Sequence, residues 1–378
     1  MSQSPIPPTD TVPEREARLI AHLVGAGYRR AEPPILQPAS IFLDLSGEDI
    51  RGRIFLTSDA SGNELCLRPE YTIPVCRAYL ASAEAGKAAA FSYLGPVFRA
   101  RMGAAPEFRQ AGLESFGRTD REAADAEILT LSLEAASADG RQLAVRMGDT
   151  GLFNALLDAL ALPTAWLRRI RRGHMRGQSL AAILAEPGNG QSTADHSGVL
   201  AALEGVDKQG ARALVQDLLT IAGISAVGGR SASEIAERFL EQAAMKTDTG
   251  IGEDRRAVLE QFTAISGDPD NASVKLRALA KSAKLDIGAA LDSFDARSGF
   301  IAARGLDVSK IAFSASFGRN LDYYTGFVFE ARDAASPEGR PLVGGGRYDR
   351  LLRTLGSTSD IPAVGAAIWC DRLFDAGA

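Results

Sequence analysis

The sequence predicts an α+β fold, because strand-like and helix-like segments are both present and occupy different parts of the chain. Two apolar runs in Phe55–Thr72 flank a Ser-Gly-Asn turn at residues 61–63, which is typical of a β-hairpin and so of antiparallel strands. Arg319–Glu330 is rich in aromatic and β-branched residues, which favours another strand. Between Pro163 and about Gly305 the chain is instead rich in alanine and leucine with helical periodicity.

Composition is that of a globular protein and excludes some classes of function. The chain has 378 residues, of which 46% are hydrophobic and 24% charged, enough for one large or two ordinary domains. The formal net charge of -5 argues against a surface that tracks nucleic acid as a whole, although a local basic face is compatible with it. No apolar run reaches the roughly 18 residues of a membrane span, and Met1–Asp10 lacks the blocks of a signal peptide. We therefore expect a cytoplasmic protein outside any membrane.

Cysteine and histidine are too scarce for a metal centre or for catalysis built on histidine. Three cysteines without a CxxC pair predict neither a disulfide framework nor a zinc module. One histidine lies in a predicted amphipathic helix and two in polar, glycine-containing segments, so a structural role is expected for each. We expect no bound metal ion. These residues are Cys66, Cys76, Cys370, His22, His174 and His196.

The first predicted helix begins after Thr11, whose hydroxyl can cap it. Pro13 suits the first turn, and Glu14 complements the positive end of the helix dipole. An apolar stripe follows, and Gly25 to Gly27 ends the helix.

Later segments alternate between the two kinds of element. Ile73–Leu80 and Asp120–Ala136 are predicted helices, and residues 143–147 form a short predicted strand. Another helix is capped near Thr150 and stops before Pro163.

Arg319–Glu330 combines its strand-like pattern with polar groups that need partners. A buried strand carries an arginine, an aspartate, two tyrosine hydroxyls and a glutamate only when these pair with one another or with a ligand. The segment therefore indicates the wall of a ligand site, with an amphipathic strand facing water as the alternative. Asp333–Arg340 predicts a hairpin loop and Pro341–Gly346 a returning strand. The glycines there lack the patterns GK[ST] and GxGxxG, so no nucleotide-phosphate loop is predicted.

Several motifs resemble those of histidyl-tRNA synthetases, which are class II aminoacyl-tRNA synthetases. They are Leu321–Gly326, which matches the histidine-specific motif unbroken, Leu67–Thr72, Phe108–Gly117, Gly344–Asp349, and the weaker Gly27–Leu36, which resembles the dimer-forming motif 1. The resemblance runs from Gly27 to Leu373. It implies a class II antiparallel sheet flanked by helices, with residues 1–162 and 306–378 as two parts of one core and residues 163–305 as a mostly helical insertion.

The resemblance also implies a site for L-histidine. Glu70 and Thr72 stand where the family holds the α-ammonium, and Arg99 where it contacts the ATP α-phosphate and the aminoacyl carboxylate. Gln110 and Glu114 are four apart on a predicted strand, which independently places both side chains on one side. The complete set is Glu70, Thr72, Arg99, Gln110, Glu114, Arg319, Tyr324 and Tyr348. Its acids, hydroxyls and arginines suffice chemically for the ammonium, the carboxylate and both ring nitrogens.

Four features depart from the synthetase pattern. Trp369 replaces the second glycine of motif 3, where an indole would fill the space left for adenine. Arg101 replaces a glutamate expected to contact ATP, and Asn320 replaces the glycine beside Arg319. The sequence ends soon after Leu373, so no C-terminal anticodon-binding domain is expected.

A chain that keeps the amino-acid site but lacks an intact nucleotide site and a tRNA domain resembles the regulatory subunits of ATP phosphoribosyltransferase, which are paralogues of histidyl-tRNA synthetase. That family implies a non-catalytic chain without cofactors or tRNA. It would bind L-histidine as feedback inhibitor, activate the short-form catalytic subunit at the first step of histidine biosynthesis, and form a homodimer within a hetero-oligomer.

Two other functions remain open at this point. A truncated synthetase-like enzyme that forms histidyl adenylate is favoured by the three arginines Arg99, Arg319 and Arg372. A scaffold with a vestigial pocket is the other. The five arginines of Arg168–Arg176 could contact a partner or an anion, or could form a solvated helix face.

Overall fold

The computed structural model describes residues 10–45, 52–175, 177–185, 250–319 and 323–374. Helices in these ranges are α1 (Val12–Gly25), α2 (Ala39–Leu45), α3 (Thr72–Leu80), α4 (Arg121–Ala136), α5 (Thr150–Ala159), α6 (Thr164–Met175), α7 (Leu180–Leu184), α8 (Glu253–Thr263), α9 (Pro269–Ser282), α10 (Gly288–Ala303), α11 (Leu351–Thr354) and α12 (Cys370–Phe374), with a 3-10 turn at Val308–Lys310. Strands are β1 (Arg29–Arg30), β2 (Leu36–Pro38), β3 (Leu56–Ser58), β4 (Glu64–Leu67), β5 (Ala89–Phe98), β6 (Glu107–Phe116), β7 (Leu143–Asp149), β8 (Ser266–Gly267), β9 (Ala312–Ser314), β10 (Phe327–Asp333), β11 (Val343–Arg347) and β12 (Ala363–Trp369).

A nine-stranded sheet in the order β1-β5-β6-β12-β11-β10-β7-β9-β8 forms the centre of the fold. Its six inner strands, from β5 to β7, pair antiparallel throughout, whereas β1 pairs with β5 and β9 with β7 in parallel. A separate three-stranded sheet has the order β2-β4-β3. The predicted α+β fold with an antiparallel sheet flanked by helices is therefore confirmed.

Local capping explains where several predicted elements begin. Thr11 and Glu14 form a capping box at α1, with the Thr11 amide 2.8 Å from a Glu14 carboxylate oxygen. At the predicted hairpin, Asp59 Oδ1 accepts from the amides of residues 61 and 63, each at 2.9 Å, which closes the turn between β3 and β4. The cap of α5 is Asp149, which accepts from Leu152 N at 2.9 Å, one residue before the predicted position.

The prediction of a strand across Arg319–Glu330 was wrong in its first half. Strand β10 begins only at Phe327, and Arg319 and Tyr323–Gly326 are outside it. Tyr323 and Tyr324 both line one cavity, which the alternating side chains of a strand do not permit. The amide of Thr325 instead donates to Arg347 O at 2.8 Å. Residues 320–322, including the unusual Asn320, lie outside the described residues.

A buried ion cluster fixes α10 to the sheet. The guanidinium of Arg297 donates to Asp125 on α4 at 2.9 Å and to Asp149 at 2.6 Å, and all three side chains are buried. Arg347 on β11 reaches the other oxygen of Asp125 at 2.7 Å. Such a cluster holds its elements firmly, because removing one member leaves buried charges without partners.

One hydrophobic cluster includes residues from both sides of the predicted boundaries at 163 and 305. It contains Leu129 of α4, Phe294 of α10 and Phe313 of β9, all fully buried. The division into two core parts and an insertion remains a prediction. The glycine clusters of the insertion, near residues 188 and 228, and His196 lie outside the described residues.

None of the described helices combines the length and apolarity needed to cross a membrane. The described residues also contain no metal-binding group of three or more His, Cys, Asp or Glu.

Candidate functional site

Glycines on β11 and β12 make room for charged and aromatic side chains against the centre of the sheet. A Cβ added at Gly344 would lie 2.1 Å from Nη1 of Arg319, and one at Gly365 would lie 1.6 Å from a carboxylate oxygen of Glu114. Both distances are far inside van der Waals contact, so a side chain at either position would displace its neighbour. The glycine run that sequence analysis excluded as a phosphate loop thus forms the floor of a different site.

A cavity of about 380 Å³ opens above this floor. It is lined by Glu70, Thr72, Arg99, Gln110, Gly318, Arg319, Tyr323, Tyr324, Glu330, Pro341, Gly344, Tyr348, Gly365, Ala366, Ala367, Trp369 and Arg372. Seven of the eight residues predicted from sequence are in this lining. The eighth, Glu114, lies directly behind it and is bonded to Thr72 and Tyr348. The volume falls in the usual range for small-molecule pockets.

One end of the cavity is built at the start of α3. The carboxylate of Glu70 accepts from the amides of Thr72 at 2.7 Å and Ile73 at 2.9 Å, which places it over the positive end of the helix. Thr72 Oγ1 donates to Glu114 Oε1 at 2.8 Å, so its lone pairs remain able to accept a hydrogen bond from a ligand. Burial raises the pKa of the Glu70 carboxyl, although its backbone hydrogen bonds and Arg99 oppose that shift.

Glu114 is fully buried and is held by hydrogen bonds from two sides. Its second carboxylate oxygen is hydrogen-bonded to the Tyr348 hydroxyl, opposite the bond from Thr72. Burial raises the pKa of this carboxyl to about 8, and the nearby Glu70 adds to the effect. Near neutral pH the group is therefore mainly a neutral acid, which can donate a hydrogen bond as well as accept one.

Arg319 and Glu330 form another part of the cavity wall. Arg319 Nη1 donates to Phe329 O at 3.2 Å and lies 3.8 Å from Glu330 Oε2, while Arg332 Nη2 reaches Glu330 Oε1 at 3.0 Å. Arg99 lies beside Glu70, whose raised pKa it opposes, and it is fixed by a bond from its Nε to Pro69 O at 2.6 Å. The guanidinium groups in the lining are suited to an anionic group such as a carboxylate.

Trp369 closes the cavity on the side of Arg372. Its indole is buried, and the guanidinium carbons of Arg372 and Arg319 lie 4.6 Å and 5.8 Å from its ring centre. Four buried polar atoms in this wall have no hydrogen-bond partner among the described residues. They are Gln110 Oε1, Arg319 Nε, Trp369 Nε1 and Arg372 Nε. Buried polar groups are normally satisfied, so this set indicates that a polar ligand completes the site.

Sequence analysis did not select Tyr323 or Glu330 as site residues, although both lie in the stretch that it identified as polar. The place of Tyr323 in the site depends on how the chain turns before β10, which local pattern does not reveal, whereas Glu330 is within β10 itself. His174, expected to be structural, is buried 3.9 Å from the ring centre of Phe153, and burial lowers the pKa of its imidazole to about 4.

The basic segment makes at least two internal contacts. Arg169 Nε donates to Ile183 O at 2.6 Å, and Arg171 pairs with Asp158 at 2.6 Å. Arg168 is exposed, and Arg176 lies outside the described residues. The segment's role as a contact for a partner or an anion remains a prediction.

Comparison with known proteins agrees with this architecture. The family model described as histidyl-tRNA synthetase matches residues 8–216 and 210–373. Curated proteins named ATP phosphoribosyltransferase regulatory subunit are similar over most of the chain. The one from Mesorhizobium japonicum is 43% identical over 97% of this chain and 98% of its own, and the one from Brucella canis is 44% identical over 90% and 91%.

Solved structures with the same fold are more distant in sequence. A Bacillus halodurans protein described as an ATP phosphoribosyltransferase regulatory subunit/histidyl-tRNA synthetase has a TM-score of 0.65 and 19% identity, covering 98% of this chain and 80% of that one. A histidyl-tRNA synthetase from Nostoc has a TM-score of 0.61 and 16% identity, covering 99% and 74%. Given the family model and the close relatives along nearly its whole length, the chain belongs to the histidyl-tRNA synthetase family and, within it, to the ATP phosphoribosyltransferase regulatory subunits.

Proposed function

We propose that this chain is a non-catalytic regulatory subunit that binds L-histidine in the cavity described above and transmits feedback inhibition to a short-form ATP phosphoribosyltransferase catalytic subunit. The observation that carries the proposal is the cavity itself. It has the size for an amino acid, its lining contains both carboxyl and guanidinium groups, and its wall contains buried polar atoms that need a ligand.

The polar groups match the three functional parts of histidine. Glu70 and the Thr72 hydroxyl accept from the α-ammonium, and Arg319 faces the carboxylate across the cavity. The imidazole then lies towards Tyr348 and the neutral carboxyl of Glu114. A neutral acid there suits a neutral imidazole, because a buried ion pair would carry a large desolvation cost.

The absence of synthetase chemistry is supported by Trp369. Its indole lies against Arg372, on the side where class II enzymes leave room for adenine, and a packed site has no spare volume for both rings. Arg101 is also engaged, at 3.3 Å from Asp371. The alternative of a truncated synthetase-like enzyme keeps one supporting observation, since Arg99, Arg319 and Arg372 all line the cavity.

Isothermal titration of the purified chain with L-histidine and with ATP tests the proposal. We expect heat from histidine, none from ATP at the same concentration, and no histidine-dependent exchange between pyrophosphate and ATP. Tyr324→Phe should weaken histidine binding, whereas the control Tyr79→Phe, whose hydroxyl bonds to residues 86 and 87 outside the cavity, should not. ATP binding together with exchange would establish the enzyme instead. If histidine gives no heat, histidine binding is excluded and the remaining function is a scaffold with a vestigial pocket.

Assembly is part of the proposal. Ile35, Leu36 and Leu56, which lie at or next to the two outer strands of the small sheet, are exposed by 40%, 50% and 52%. Exposed apolar side chains of this kind suit contact with a second copy, as the resemblance to motif 1 implies. We expect a dimer in sedimentation analysis, converted towards monomer by Leu36→Glu. When the short-form catalytic subunit from the same organism is added, the wild-type chain should raise its activity, and histidine should reverse that gain.

A further inference from the structure

The indole of Trp369 carries a hydrogen-bond donor without an acceptor. Its side chain lines the amino-acid cavity and is 7% exposed, and its Nε1 has no partner among the residues that the structure describes. Trp166 Nε1 is likewise buried and unpaired within the described ranges, but Trp166 is not in the lining of that cavity. An unpaired indole alone therefore does not indicate a ligand, whereas one beside a cavity and a second unpaired group does.

Such a second group lies on the neighbouring strand. Strands β12 and β6 pair antiparallel with Trp369 directly opposite Gln110, so the two side chains project from the same face of the sheet. Gln110 also lines the cavity, and its Oε1 is buried without a partner in the described part of the chain. A donor and an acceptor thus lie side by side without bonding to each other. The carboxylate and ammonium groups of one α-amino acid can satisfy both.

Two further unpaired donors lie near the same ring. The guanidinium carbons of Arg372 and Arg319 are 4.6 Å and 5.8 Å from its centre, and the Nε of each is buried without a partner among the described residues. Three N–H donors in one wall need an anionic acceptor, and a carboxylate offers two oxygens with about four acceptor positions.

The indole also limits what the carboxyl group of a ligand can carry. The backbone amide of Trp369 donates to Leu342 O at 2.9 Å, and the two guanidinium groups lie near its ring. A side chain packed in this way has little freedom to turn aside. A free carboxylate fits against its N–H, whereas a substituent on the carboxyl group would meet the ring.

We propose that Trp369 Nε1 donates a hydrogen bond to the α-carboxylate of the bound amino acid, and that the indole thereby selects the free acid against its esters, its amide and the corresponding alcohol. The selection rests on the proposed histidine site. It is one that a synthetase cannot have, because an enzyme that activates its amino acid must admit a nucleotide joined to the carboxylate.

Calorimetry of the full chain with L-histidine, L-histidinamide and L-histidinol tests the contact. The wild type should bind L-histidine at least about tenfold more tightly than either analogue. Trp369→Phe keeps an aromatic ring and removes the N–H, so its affinity for L-histidine should fall about tenfold, and its affinity for the two analogues by less than about threefold. The control Trp166→Phe removes the other buried, unpaired indole and should change none of these affinities.

Tryptophan emission provides a readout that a purely structural role does not move. The chain contains two tryptophans, so Trp166→Phe leaves Trp369 as its one indole. L-histidine should change the emission of Trp166→Phe with the same midpoint as in calorimetry, and should leave the emission of Trp369→Phe unchanged. This measurement decides the question even if Trp369→Phe does not fold, because constant emission of Trp166→Phe at saturating L-histidine contradicts the contact.

The outcomes separate this contact from the proposed function. Equal losses of affinity for L-histidine and L-histidinamide in Trp369→Phe would show that the indole contributes packing alone, and an unchanged affinity for L-histidine would exclude the hydrogen bond. Either result overturns the proposal and leaves the histidine site in place. If the wild type gives no heat with L-histidine, the proposed function fails and the contact fails with it.

Discussion

Replacement of Glu114 by glutamine should change how the stability of the protein depends on pH. The pKa of this carboxyl is raised from 4.5 to about 8 in the folded chain, so the folded state holds a proton that the unfolded state releases between those values. The resulting stabilisation is complete below the unfolded pKa and is lost as pH rises through the folded pKa. For these two pKa values, the loss between about pH 5 and about pH 8 is about 3 kcal/mol. Glutamine cannot titrate, and it can keep both the bond from Thr72 and the one with Tyr348.

Urea unfolding of both proteins at those two pH values measures the effect. On going to the higher pH, the free energy of unfolding of the wild-type chain should fall by about 3 kcal/mol more than that of Glu114→Gln. The control is Glu107→Gln, an exposed position on the same strand, which should follow the wild type. If the difference between wild type and Glu114→Gln is the same at both pH values, then Glu114 is not a buried neutral acid and our account of the cavity is wrong.

Three further predictions follow from individual contacts. Gly344→Ala should push Arg319 out of the cavity and lower the affinity for L-histidine about tenfold or more. The affinity for histidinol, which lacks the carboxylate, should change little. Equal losses of affinity for the two ligands in calorimetry would contradict the role of Arg319 in binding the carboxylate. The buried imidazole of His174 has a pKa lowered to about 4, so its protonation in the unfolded chain destabilises the fold in acid, and His174→Phe should remove this effect. In urea unfolding, the free energy of unfolding of the wild type should fall by about 2 kcal/mol more than that of the variant between about pH 7 and about pH 5. Arg297→Met should lower the free energy of unfolding by about 3 to 5 kcal/mol, because it leaves Asp125 and Asp149 buried with one partner fewer. An unchanged unfolding midpoint would show that this ion cluster does not hold α10 in place.

Local sequence features predicted the parts of the site that lie within single elements. Gln110 and Glu114 were expected on one side of a strand, and both are buried on β6. The motif residues Glu70 and Thr72 lie together at the start of α3 because the helix begins there. In each case the side chains are within a few residues of one another, so strand or helix periodicity is enough to place them.

Contacts between distant segments were beyond such reasoning. Glu114 and Tyr348 are 234 positions apart, and the chain pattern gives no sign that their side chains meet. The same holds for Arg319 lying across Gly344, which explains why the glycine run is needed but requires the pairing of β10 with β11 to be known. The prediction of a strand from Arg319 onward was wrong for a related reason. Tertiary packing places Tyr323 and Tyr324 in one cavity, and this outweighed the local β preference of the segment.

Trp369 bears on the main conflict that the sequence left open. Three arginines typical of an ATP site persist, which favoured an enzyme, while the indole argued that ATP has no room. In the structure the indole is also the surface on which two of those arginines rest, Arg372 at 4.6 Å and Arg319 at 5.8 Å. Their retention therefore does not require ATP, because stacking on Trp369 holds Arg319 where it can meet a carboxylate. Under the proposed function, the residue expected to fill the adenine space would also support the amino-acid side of the site, and this favours the regulatory subunit over the enzyme.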